Sequence, residues 1–71
     1  MVTTQEFKQP YYNLKIIIDK KRLTQTKVAE KIGMDRATFN LKLNRTKGRD
    51  FSLEEAKAIA DVVEERIDDF F

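Results

Sequence analysis

Arg36, Asn40 and Asn44 recur at four-residue spacing, so a helix from about Arg36 to Leu43 would set all three near one edge, pointing outward. What these types can do together is form paired hydrogen bonds in one plane. A guanidinium matches guanine O6 and N7, and a carboxamide matches adenine N6 and N7. A lysine ammonium has no such flat pair of donors and does not select a base edge. The row is therefore a candidate surface for reading base pairs, provided that other elements hold it outward.

Those elements are legible in Gln25 to Asn44, QTKVAEKIGMDRATFNLKLN. Thr24 can accept from the backbone N–H groups that open a helix, and Val28, Ala29 and Ile32 follow on one apolar face. At Ala29 only a methyl group stands between this helix and a neighbour, so a second helix can cross closely. Gly33 comes where a helix that must stop and reverse needs a left-handed residue, a conformation that glycine adopts without a Cβ clash. Met34 plugs the turn, Asp35 can cap a second helix, and Phe39 with Leu43 supplies its inward face. The pattern predicts helices at about 25–32 and 36–43, folded on each other as a helix-turn-helix.

Charge is segregated along the chain. From Lys8 to Arg49 there are 12 Lys and Arg against Asp19, Glu30 and Asp35, a block of +9, and from Asp50 to Phe71 there are 2 against 8, a block of −6. A basic part that contains the whole two-helix unit would attract phosphates and release counterions on binding, and an acidic part would be repelled from a duplex and favour one orientation. At 71 residues the chain has the length of one small domain. It has no cysteine and no histidine, so it lacks disulfides, thiolate metal sites and the commonest general base, and neither catalysis nor a metal or other cofactor is expected. The longest aliphatic run, Ile16 to Ile18, is far below the roughly 20 residues that cross a bilayer. The opening MVTTQEF lacks the features of a secretory signal, so a cytoplasmic protein is expected.

The remaining segments frame the motif. Residues 1–10 are polar, show no period and read as a flexible arm in which Phe7 can tack onto the body and Lys8 is the one cation; residues 11–71 read as a single helix-turn-helix domain. Tyr11, Leu14, Ile17 and Ile18 form one stripe of a packing helix from about Tyr11 to Arg22, with Ile16 off the stripe. Lys20, Lys21 and Arg22 place positive charge where the helix dipole favours it. Arg45, Thr46, Lys47, Gly48 and Arg49 form a basic loop whose cations could hold a phosphate backbone without reading sequence. Ser52 and Glu55 make a capping box, Phe51 staples it, and Ala56, Ile59, Ala60 and Val63 are the buried face of a fourth helix. Ile67, Phe70 and Phe71 either extend that helix or form a short fifth one, and the two aromatics either close the core or serve a dimer.

On LTQTKVAEKIGMDRATF, the small residue Ala29, Gly33, the Phe51-Ser52-Leu53 helix start and the Ile67-Asp68-Asp69-Phe70-Phe71 ending, the chain resembles the phage repressor-like helix-turn-helix regulators, the Cro/CI-like or XRE family. The resemblance implies an all-α, compact four- or five-helix lambda-repressor-like DNA-binding domain that binds operator DNA, usually as a dimer on paired half-sites. Carried over, Arg36, Ala37, Asn40 and Asn44 are the expected base contacts. The expected backbone contacts are Gln25, Thr26, Lys27, Lys42, Arg45 and Lys47. One position departs from the family pattern: Leu41, about 200° around the helix from Phe39, should emerge on the reading surface. It could press on a thymine methyl, or it could anchor a protein. The second option defines an alternative function, an antirepressor or modulator that binds a partner repressor and masks its DNA surface.

Overall fold

The computed structural model describes residues 9–71. The expected tacking of Phe7 and the expected role of Lys8 lie outside the described residues, as does the expected arm except for Gln9 and Pro10. Among the described residues there are four α-helices and no strand: α1 (Tyr12–Lys20), α2 (Gln25–Lys31), α3 (Arg36–Leu43) and α4 (Leu53–Val63). Short 3-10 turns follow α3 and α4, at Thr46–Gly48 and Ile67–Asp69.

Each of the last three helices starts on a side chain that the sequence offers for the purpose. The Thr24 hydroxyl accepts from Lys27 N–H at 3.0 Å, and the Asp35 carboxylate accepts from Ala37 and Thr38 N–H at 3.0 and 3.2 Å. Ser52 and Glu55 form the full reciprocal box, at 3.1 and 2.9 Å. These bonds satisfy backbone donors that a helix start leaves without partners.

The helix ends share a different device. At the end of α2, Gly33 is left-handed (φ +73), Met34 N–H donates to the Ala29 carbonyl at 2.8 Å, and Gly33 N–H donates to that of Glu30 at 3.1 Å. This is the Schellman closure, and it turns the chain sharply from α2 into α3. The same closure ends α1 at Arg22 (φ +58), and α4 ends at a left-handed Glu64 (φ +59) with Glu65 N–H donating to the Ala60 carbonyl at 3.2 Å, in neither case with a glycine to announce it. Hence α1 spans Tyr12–Lys20 and stops short of the expected Arg22, and the acidic tail forms a separate turn, not an extension of α4.

The core lies where the four helices meet. Leu14, Val28, Ala29, Phe39, Leu43, Ala56, Ile59 and Val63 are fully enclosed, and Tyr11, Ile18, Phe51 and Phe70 nearly so. Phe39 and Phe51 pack with their rings tilted by 53° and centroids 5.3 Å apart, joining α3 to the start of α4. Ile17 is only half-buried and Ile16 stands in solvent. Of the two terminal aromatics, Phe70 closes the core, and Phe71 is half exposed with its ring stacked 6.0 Å from that of Tyr11.

Candidate nucleic-acid interface

The interface is built on the crossing of α2 and α3. Ala29 is fully enclosed there, and Phe39 and Leu43 anchor α3 to the core, so the opposite side of α3 has to face outward. Arg36, Ala37 and Asn40 are exposed on that side, and with Gln25, Asp35 and Leu41 they line one shallow depression. Gln25 stands at the first residue of α2, and its Oε1 accepts from Asn40 Nδ2 at 3.0 Å, so the two helices are linked on the outer surface as well as in the core. The amide of Asn40 keeps its Oδ1 and a second N–H for another partner.

The other expected contacts are distributed unevenly. Thr26 and Lys27 are exposed on the first turn of α2, beside Gln25, and Lys47 is exposed in the loop after α3. Asn44 is not part of the depression: it caps α3, and its Nδ2 donates to the Asn40 carbonyl at 3.0 Å. Lys42, with its side chain 21% exposed, donates to both carboxylate oxygens of Glu55 at 2.9 and 3.0 Å. Burial would raise the Glu55 carboxyl, but the Ser52 N–H and the Lys42 ammonium outweigh it and hold the group below its ordinary value.

Arg45 is turned toward the molecule as well. Its guanidinium carbon sits 4.2 Å from the centre of the Tyr11 ring, and Nη2 donates to the Tyr11 hydroxyl at 2.9 Å and to Asp50 at 3.3 Å. The Tyr11 hydroxyl in turn donates to Asp50 Oδ1. Burial and the Asp50 carboxylate raise the Tyr11 phenol above its ordinary value, against a smaller opposite effect of Arg45, so it stays protonated and able to donate. The sequence reading did not single out Glu55 as an ion-pair partner of α3, nor Tyr11 and Asp50 as partners of Arg45. The spacings between partners, 13, 34 and 5 residues, follow no local period that a sequence pattern would display.

Chemically, the face offers a guanidinium, a carboxamide already oriented by a second carboxamide, a methyl group and an isobutyl group, flanked by exposed lysines. That combination suits a base-pair edge bordered by phosphates. No curated protein matches the chain significantly. The family model of the Cro/C1-type HTH DNA-binding domain matches residues 13–71, a span that takes in α2, α3, α4 and all of the depression. Agreement over that extent, in a chain whose described elements are all helical and which reverses at Gly33 to bring its second and third helices together, means that this chain belongs to the Cro/C1-type family and is a DNA-binding transcription regulator.

Proposed function

We propose that the protein is a small regulator of a phage or prophage switch, working in the host cytoplasm, that reads operator DNA with α3 in the major groove. The observation that carries this reading is the depression shared by α2 and α3, where Arg36, Ala37 and Asn40 open outward beside Gln25. Arg36 takes guanine, Asn40 takes adenine, and Ala37 and Leu41 press on thymine methyl groups. Gln25, Thr26, Lys27 and Lys47 meet the phosphates and fix the register. Two copies on paired half-sites would double the number of base pairs read.

The test is a binding series with duplexes from the genomic region around the coding sequence. Arg36→Ala is expected to cost about 1–3 kcal/mol at the preferred duplex and to relax the preference. Lys47→Ala should weaken all duplexes alike and lower the slope of log affinity against log salt by about one. If neither change alters affinity at any salt concentration, the reading fails.

Leu41 also favours a second reading. It is half-buried within the depression and is not among the described residues packed against the core. An aliphatic residue framed by Arg and Asn suits the centre of a small protein interface, so a modulator that masks a partner repressor's DNA surface would use the same face. Recovery of a stoichiometric complex with a repressor encoded nearby, lost on Leu41→Glu, together with negligible DNA affinity would establish that role in place of the first.

A further inference from the structure

We propose that Arg45 is a positioning residue of the DNA-binding surface: held by Tyr11 and Asp50, it fixes the loop that presents Lys47 and Arg49 beside α3, and it neutralises no phosphate itself. The assignment rests on the reading that the protein binds DNA through α3.

Four observations meet at this residue. Its side chain is 25% exposed, and Nε is fully enclosed with no acceptor among the described residues, whereas a guanidinium serving phosphate has its donors open to solvent. The planar group lies over the Tyr11 ring, an arrangement that lysine reproduces poorly. Its hydrogen bonds reach both the residue ahead of α1 and the residue three places ahead of α4, so one side chain ties the start of the first helix to both ends of the loop between α3 and α4. Arg45 is also left-handed (φ +55), a conformation that is strained for an L-residue and persists where surrounding contacts hold it.

The loop that follows has little freedom. Residues 46–49 span the interval from Arg45 to Asp50, and Arg49 N–H donates to the Thr46 carbonyl at 3.0 Å. Lys47 is itself left-handed (φ +52), and Lys47 and Arg49 are exposed. With both ends of the interval tied to Tyr11, the two cations are presented in a restricted set of positions. Their order is set before any DNA arrives, which lowers the entropy lost on binding.

The test uses the full chain and a mixed-sequence duplex of about 20 base pairs, titrated across a range of salt. Arg45→Lys keeps the charge, and Tyr11→Phe keeps the ring and removes no charge. Each is expected to weaken binding about three- to tenfold, the equilibrium worth of one net hydrogen bond. The decisive measurement is the cost of Lys47→Ala, which should shrink in the Tyr11→Phe background although the two side chains make no direct contact; a uniform loss of fold stability would leave that cost unchanged. Asp50→Asn should repeat the pattern if either clamp variant fails to fold. Wild-type affinity in Arg45→Lys and Tyr11→Phe, or an undiminished Lys47→Ala cost, overturns the assignment and leaves the DNA reading standing. A wild-type chain that binds no duplex at any salt overturns both.

Discussion

At the scale of single residues, backbone handedness separates what the sequence displays from what it conceals. Gly33 announces its left-handed turn, whereas Arg22, Arg45, Lys47 and Glu64 adopt the same conformation without a glycine. A Cβ on Gly33 would meet nothing within 4 Å, so the cost of Gly33→Ala is conformational alone. It is expected to be about 1–2 kcal/mol in a denaturant titration. The opposite change, Glu64→Gly, should stabilise the chain by up to about 1 kcal/mol, because the residue is exposed and only its left-handed strain is relieved. A loss of stability in that variant would mean that the side chain contributes something its contacts do not display. Arg36 and Asn40 lie together on the outward side of α3, as their four-residue spacing implied, whereas Asn44, on the same spacing, caps the helix, and Ala37 was expected there only from the family resemblance. Lys42 and Arg45 were readable as cations but not as paired ones, since their partners arrive from other elements through the tertiary fold.

At the scale of elements, the helix starts were legible to the residue. Thr24, Asp35 and Ser52 each act on N–H groups within three residues, so short-range chemistry decides where α2, α3 and α4 begin. The ends of α1 and α4 depend on closures that Arg and Glu do not advertise: the sequence carried α1 on to Arg22, and after Val63 it left two outcomes open. The α2–α3 crossing depends on Ala29, which has no exposed surface. Ala29→Leu should separate the helices and cost about 1–3 kcal/mol by overpacking, with DNA affinity falling even where the chain stays folded. Between α3 and α4 the Lys42–Glu55 pair adds a pH dependence. Glu55 is held below its ordinary value of 4.5, so the stability it contributes is present above that pH and is lost as the pH falls through the lowered value. Melting temperature is expected to drop on acidification through this range, and Glu55→Gln should lower it at neutral pH while flattening part of the acid slope. An acid limb identical in wild type and variant would assign the dependence to other carboxylates.

At the scale of the whole molecule, the division into a +9 block and a −6 block coincides with the boundary between the motif with its loop and the helix that supports them. Duplex affinity should therefore fall steeply with salt, in proportion to the number of phosphates neutralised. Affinity that stays level between low and physiological salt would deny the basic block any part in binding. The helical architecture and the two-helix motif were legible because hydrophobic period, caps and charge all agreed. The surface links Gln25–Asn40, Lys42–Glu55 and Arg45–Tyr11–Asp50 were not, since each pairs side chains from different elements. One of these links also carries an optical consequence. The chain has no tryptophan and two tyrosines: Tyr12 stands mostly in solvent, and Tyr11 donates its phenol to a carboxylate beneath a guanidinium. A phenol bonded to carboxylate emits weakly, so fluorescence from the intact protein should come chiefly from Tyr12. Any event that parts the Tyr11 phenol from Asp50 would then appear as a brightening of Tyr11, making the molecule its own unlabelled reporter of that joint.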